Sequence, residues 1–256
     1  MQVSVPLWLR MARVALTPRG WLLKTTLSNG AVVYGENRPG YGGRGAYIYR
    51  DALEPELQHL DRFLDAEGVL VDVGASTGIY SMKAAKHVGP HGIVVAIEPF
   101  PAVLAILQRS VQANGFAQVR LRNFCVAERT GVRTLWRNYR KPNSFSLIRR
   151  DPDALPFSVA GVTLDDLLAW EGLHRLDYLK IDVEGAEEAV LTGARGVIEK
   201  HRPIVQVEVS VAAPGIEQLR DYTVFHAPES LNSVCIPNGH AKMGVPAQLG
   251  WTEVAR

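Results

Sequence analysis

The sequence predicts an α/β fold with a doubly wound, mainly parallel sheet, on the strength of two segments and one recurring rhythm. The first segment, residues 69–78 (VLVDVGASTG), is an apolar run that enters a glycine turn and then a helical pattern. The second, residues 179–187 (LKIDVEGAE), has the same form: an apolar strand ends in closely spaced carboxylates, a glycine and a helix. Strand-like and helix-like stretches alternate around both, as βαβ units require. Both segments should therefore end at the carboxyl edge of one sheet, where such folds hold their ligands.

The elements follow in order. Residues 3–21 predict an amphipathic helix, with Leu7, Trp8, Met11, Val14 and Ala15 on one face and Arg10 and Arg13 beside it. No small-residue cleavage site follows a proper apolar core, so a signal peptide is not expected. A basic amphipathic helix can lie on an anionic membrane surface; packing on its own domain is the more frequent outcome and is the expectation here. A hairpin over 21–27 and 31–35 turns at Asn29-Gly30. Residues 40–45 (GYGGRG) read as a loop, either a lid over a substrate or a plain linker.

A helix over 55–64 leads to the strand 69–73, and a helix over 79–87 to the strand 93–97. The helix 101–114 opens with Pro101 and stops at Asn114-Gly115, and a strand follows at 119–123. Residues 126–163 break the rhythm, with added strands at 132–136 and 158–162 flanking a polar loop. Thr163 with Asp166 three residues on predicts a capping box. The strand 176–183, the helix 186–201 and the strand 204–209 continue the core, and 222–225 with 233–236 supply a final antiparallel pair. The chain accordingly divides into an extension (1–53), a main domain (54–240) and a tail (241–256).

Composition narrows the class. With 256 residues, 47% of them apolar, the chain can bury one large core. A net charge of +2 indicates no strong field for nucleic acid, so no nucleic-acid partner is expected. Cys125 and Cys235 form neither a metal spacing nor a disulfide framework, and a cytoplasmic protein is the default. There is no internal repeat and no run of 18 apolar residues.

The glycine spacing selects the cofactor. A dinucleotide fingerprint needs a middle glycine so that the backbone can approach a pyrophosphate. Here Gly74 and Gly78 are present, but Ser76 occupies the middle place. The turn suits an adenosyl group without phosphates. S-adenosylmethionine is such a group; its sulfonium and ammonium would welcome Asp72, and Glu98 is spaced to accept hydrogen bonds from the ribose hydroxyls. A nicotinamide-dependent oxidoreductase is the rival at the level of the cofactor.

Taken together, the runs at 72–80 (DVGASTGIY), 97–101 (IEPFP), 162–167 (VTLDDL) and 179–187, with 190–194 (VLTGA) and a strand ending in Glu208, resemble the FkbM family of methyltransferases. The resemblance covers roughly residues 54–236. It implies a class I, Rossmann-like fold of seven strands, the last one antiparallel, and O-methylation of a sugar, glycolipid, polysaccharide or polyketide hydroxyl. It also implies a small-molecule or glycan acceptor. Carried over by position, Asp72, Gly74, Ala75 and Gly78 surround the methionine part and ribose, Glu98 holds the ribose, and Ser76, Thr77 and Pro99 beside them belong to the cofactor-binding set. Asn123 and Ala127 fall where the fold meets the adenine, and Asp182 where it meets the methionine end.

Methyl transfer to an alcohol chiefly needs alignment, helped by a group that draws off the proton. Asp182 and Glu184 end a strand at the right edge, and two residues apart on an extended chain they face the same side. Glu184 and Glu187 can equally serve the next helix, whose N-terminus favours carboxylates. Lys180, in phase with Asp182, is expected to pair with it. Glu208, on the neighbouring strand, could join Asp182 around a divalent ion, although no metal is required by the pattern. His226, following a strand near the sheet edge, is a further candidate base. The loop 141–146 (KPNSFS), with Arg137, Arg140, Arg149 and Arg150, could hold a sugar or an anionic group. A nucleic-acid methyltransferase and a non-catalytic cofactor-binding protein are the rivals from other classes.

Overall fold

The computed structural model describes residues 5–38, 43–137, 145–146, 152–208 and 215–254. Helix α1 (Leu7–Leu16) is followed by the antiparallel hairpin of β1 (Leu22–Thr26) and β2 (Val32–Glu36). Gly30 takes φ +87° in the turn, and Asn29 Oδ1 accepts from the Ala31 N–H, as the Asn-Gly pair predicts.

The end of the expected glycine loop belongs instead to helix α2 (Gly43–Tyr49). The reason is packing: a Cβ on Gly35 would lie 2.2 Å from Gly43 Cα, so the glycines let this helix press onto β2. A 3₁₀ turn at Arg50–Leu53 leads to α3 (Pro55–Gln58) and α4 (Leu60–Phe63). The single helix expected over 55–64 is thus two short ones. The Gln58 carbonyl accepts from Lys83 Nζ at 3.2 Å, and His59 breaks the helical conformation.

The main alternation is β3 (Val69–Val73), α5 (Ile79–Val88), β4 (Ile93–Ile97), α6 (Pro101–Asn114) and β5 (Val119–Arg122). A small four-stranded sheet follows, made of β6 (Cys125–Val126), β7 (Gly131–Arg137), β8 (Phe145–Ser146) and β9 (Leu155–Val162). The loop 141–146 and Arg140, Arg149 and Arg150 lie outside the described residues, apart from the backbone of β8; of Arg137, the backbone alone is described. Then come α7 (Leu164–Trp170), β10 (Tyr178–Ile181), α8 (Glu187–Gly193), α9 (Arg195–His201), β11 (Ile204–Glu208), β12 (Tyr222–His226), β13 (Asn232–Pro237), α10 (Val245–Gln248) and β14 (Thr252–Val254).

Thr163 caps α7 by accepting from the Asp166 N–H at 3.0 Å. The return half of the box is replaced: Thr163 N–H donates to Thr130 Oγ1, and Asp166 accepts from the Thr130 hydroxyl. The helix expected over 186–201 is broken at Ala194, because Asp165 accepts from the N–H groups of Gly196 and Val197 and so starts a new helix there.

The large sheet has the order β14-β12-β13-β11-β10-β3-β4-β5. From β11 to β5 it is parallel, and β13 runs antiparallel between β11 and β12. That is the expected doubly wound sheet with its antiparallel last strand. An eighth strand, β14, pairs with β12, and Trp251 before it stacks on Phe63 at 5.1 Å. The residues set apart as a tail therefore extend the sheet.

Both faces of the parallel core are covered. Leu70, Val94, Ala96 and Ile204 join one buried cluster, while Val71, Val95, Ile97 and Val205 join the other. Alternate side chains point to opposite faces, so strands buried on both sides read as nearly unbroken apolar runs. The hairpin is fastened to this body by α6: Asn114 exchanges two hydrogen bonds with the backbone of Val32, and Ser110 Oγ accepts from the Tyr34 N–H at 2.9 Å. Among the described residues no helix is long and apolar enough to cross a membrane.

Candidate active site

A cavity of about 240 Å³ opens at the carboxyl ends of β3, β4 and β10. Its floor is the turn after β3. Gly74 takes φ +79°, and a Cβ there would lie 1.9 Å from the Asp182 carbonyl oxygen. Only glycine lets β3 and β10 end so close together. Ser76 is also left-handed, at φ +50°, and directs its N–H to Glu98 Oε2 at 3.0 Å.

Glu98 is held through both of its oxygens. Its second oxygen accepts from the Phe100 N–H at 2.8 Å. Burial nevertheless pushes its pKa up to about 7, against these two backbone bonds that favour ionisation. Asp72 is fully buried. Its Oδ2 accepts from Ser81 Oγ at 2.6 Å, whereas its Oδ1 has no hydrogen-bond partner among the described residues. Burial raises this pKa too, with Lys180 opposing.

Lys180, 3% exposed, stands in register with Asp72 on the adjacent strand. Its ammonium donates to Asp182 Oδ2 at 2.9 Å and lies 4.7 Å from the centre of the Tyr80 ring. The expected Lys180–Asp182 pairing is present. Burial works against the ammonium, but Asp182 and Asp72 more than compensate and hold its pKa above the ordinary value. Asp182 in turn is buried against ionisation yet kept below the usual carboxylate range by Lys180 and by a hydrogen bond with Glu208. Glu208 carries the opposite shift: burial and the Asp182 charge push it up to about 8. The two carboxyls therefore hold one proton between them at neutral pH.

The remaining predicted residues separate clearly. Asp72, Gly74, Ala75, Ser76, Thr77, Glu98, Pro99, Lys180, Asp182 and Glu184 line the cavity. Gly78 lies beneath it, where a Cβ would meet Leu107 at 2.0 Å. Glu184 does not alternate with Asp182 as an extended chain would: the strand ends at Ile181, and Glu184 takes φ +56° in the turn. The helix-directed role falls to Glu187, whose Oε1 accepts from the Gly185 N–H at 2.9 Å.

Two adenine-side residues are displaced from the cavity. Asn123 donates to the carbonyls of Glu98 and Pro99, both at 2.9 Å, and so braces their turn from outside. Ala127 is buried where its carbonyl meets Gly193. Phe124, Cys125 and Val126 line the cavity in their place. The chain turns from β5 into β6 here, and strand periodicity does not reveal which residues of such a turn face inward. His226 is absent from the cavity wall. It shares a hydrogen bond with Ser233 at 2.7 Å on β12, three strand spacings (about 14 Å) from β10.

Sequence reasoning passed over Tyr80, Glu54 and Leu53, which also line the cavity. The Tyr80 hydroxyl donates to Glu54 Oε2 at 2.5 Å and accepts from Gln206 Nε2 at 2.8 Å. An unpaired tyrosine at the start of a helix carries no pattern that announces such a bond. Among the described residues, no group of three His, Cys, Asp or Glu side chains is arranged to hold a metal ion.

The cavity fits the sulfonium nucleoside. Asp72 offers a buried oxygen with no partner among the described residues, Gly74 leaves the floor open, and Glu98 has a lone pair on each oxygen beyond those used by the backbone.

Comparison with known proteins agrees. The Methyltransferase FkbM domain matches residues 72–227. The chain is 26% identical over 190 residues to methyltransferase sdnD of Sordaria araneosa, covering 62% of this chain and 71% of that one. It is 30% identical over 190 residues to the AMB antimetabolite synthetase AmbE of Pseudomonas aeruginosa, covering 57% of this chain but 9% of that protein. Among solved structures it is similar to an FkbM methyltransferase from Methylobacillus flagellatus KT, at 21% identity and TM-score 0.48, covering 76% of this chain and 52% of that one. This chain thus spans about half of that structure. A family match that runs from the strand of Asp72 past the strand of His226, over more than half of the sequence, makes this protein an S-adenosylmethionine-dependent methyltransferase that belongs to the FkbM family.

Proposed function

We propose that the protein methylates a hydroxyl oxygen of a sugar, glycolipid, polysaccharide or polyketide-type acceptor. The observation that carries this reading is the Asp182–Glu208 pair, two hydrogen-bonded carboxyls of which Asp182 lines the cavity. S-adenosylmethionine, when bound, supplies a methyl group already activated by its sulfonium. An alcohol still has to lose a proton as its oxygen takes the methyl carbon, and general-base help is worth roughly 10²–10⁴-fold.

Asp182 is the member of the pair that lines the cavity, so its oxygen receives the acceptor hydroxyl. Glu208 behind it raises the basicity of the pair: once the shared proton is gone, near pH 8, the doubly charged pair is a base matched to a mildly alkaline medium. Lys180 fixes the direction of Asp182 and remains an ammonium throughout. Glu98 and Asp72 orient the cofactor through hydroxyl and ammonium groups. The rest of the cavity wall is largely apolar, with Val73, Ile97, Phe124, Val126 and Leu135, and excludes water from the reacting atoms.

The test is product chemistry. Incubation with methyl-labelled cofactor and a panel of hydroxylated glycans, lipid-linked sugars and polyketides is expected to place label on an ether oxygen. Exclusive label on nitrogen or carbon would overturn the proposal. Asp182→Asn is expected to lower kcat on the same acceptor by about 100-fold.

A further inference from the structure

Helix α1 is attached to the protein by its narrow side. Val14 is its one buried residue, set against Leu23, Tyr47 and Ile48. Asn37 holds the end of the helix by donating to the carbonyls of Val14 and Thr17. At 100° per residue, Met11, Ala15, Trp8, Ala12 and Leu16 fill an arc that runs from about 60° to about 200° away from Val14, and all are exposed. Trp8 is 66% exposed, Met11 52% and Leu16 85%. Of the apolar face read from the sequence, Val14 packs on the domain as expected, while Trp8, Leu7 and Met11 face solvent. The chain beyond the helix continues the theme with Trp21, 65% exposed.

Charge is distributed in the same sense. The first 50 residues contain seven Lys or Arg and a single acid, Glu36, while the rest of the chain has 21 basic and 25 acidic residues. Glu36 is itself paired with Arg38 at 3.3 Å. Arg13, Arg19 and Lys24 are exposed.

From this combination we propose that α1 and the turn after it dock the enzyme on an anionic phospholipid surface, with Trp8, Met11, Leu16 and Trp21 entering the headgroup boundary and the exposed Arg13, Arg19 and Lys24 facing the lipid phosphates. Aromatic and aliphatic side chains on one face, flanked by cations, are the composition of interfacial helices. Cations within reach of anionic lipid each strengthen such binding several-fold. The surface is also tied to the active site: α2 packs on α1 and runs through the 3₁₀ turn into Leu53 and Glu54, which line the cavity.

The experiment is flotation of the full chain with vesicles of pure phosphatidylcholine or of phosphatidylcholine containing about one third phosphatidylglycerol. Binding is expected to the anionic vesicles alone, and to weaken in 0.5 M salt, a roughly fivefold excess over the usual 0.1 M. Trp8→Ser with Met11→Ser, and separately Arg13→Glu with Arg19→Glu, should each reduce binding about tenfold or more. Affinity for S-adenosylhomocysteine, read by calorimetry, reports that the variants remain folded. Absence of binding to anionic vesicles, or variants that bind as well as the parent, would overturn the proposal. So would light scattering that shows a dimer which Trp8→Ser dissociates, since the face would then belong to a second copy.

Discussion

Glu98, which is buried, and Glu208, which is half-buried, are carboxyls at the same edge of the same sheet, and both have raised pKa values. They differ in what holds them. Glu98 is gripped by two backbone N–H groups, from Ser76 and Phe100, which belong to the turns at the ends of its own and the adjacent strand. Glu208 is held by a side chain on the next strand, Asp182, which carries a charge of its own. Backbone donors favour an ionised carboxylate and are insensitive to what fills the cavity. A neighbouring carboxylate favours the protonated form and answers to any charge introduced beside it. One side of the cavity is thereby built to bind, the other to exchange a proton.

The comparison can be broken most severely at its hinge. Gly74→Ala puts a methyl group 1.9 Å from the Asp182 carbonyl oxygen at φ +79°, which forces β3 and β10 apart where both carboxylate systems meet. We expect a loss of about 3 kcal/mol or more of stability, seen as a lowered thermal midpoint, and no measurable S-adenosylhomocysteine binding by calorimetry. Binding within threefold of the parent would show that the two strand ends have slack.

A second change separates the two sides. Glu208→Gln leaves Asp182 with a neutral neighbour, so the pair loses its titration near pH 8. In the parent, kcat should climb about tenfold per pH unit toward that value and level off above it. The variant should lack this limb and run about 30-fold slower at pH 8.5, with cofactor affinity little altered. A pH profile that keeps its rise near 8 would remove Glu208 from the proton path.

The smallest effect is expected on the binding side. The ribose hydroxyls donate to an ionised Glu98, so affinity for S-adenosylhomocysteine should rise roughly tenfold between pH 6 and pH 8, as the group passes its pKa of about 7. Glu98→Gln should flatten that dependence. Stability moves the other way. A folded pKa above the ordinary 4.5 gives a contribution that is present below 4.5 and lost as pH rises through about 7, so the parent, more than the variant, should lose thermal stability across that window. Denaturation midpoints at pH 5 and 8 decide it.

Legibility in the sequence followed how local each interaction is. The strand 69–73, the glycine turn and Glu98 were readable because an apolar run, two glycines and an acid at a fixed distance are features of one βαβ unit. The Lys180–Asp182 pair was readable for the same reason, being two residues apart on one strand. The displacement of Asn123 and Ala127 was hidden, because which residues of a turn face the cavity depends on how β6 leaves β5 for a second sheet. In the sequence, His226 is a further candidate base by its place after a strand. It stands three strand spacings from β10 because β13 and β11 lie between, and strand order is a property of the whole sheet.

What the sequence determined by itself is the class of fold, the kind of cofactor and the carboxylates nearest to it. These depend on short-range rules: side-chain period, glycine conformations and residues within one supersecondary unit. Tertiary structure alone decided that Glu208 shares a proton with Asp182, that Tyr80 joins Glu54 and Gln206, and that α1 turns Trp8 outward. Each joins or separates residues distant in the chain, and a burial cost or a neighbouring charge exists only once the chain has folded around it.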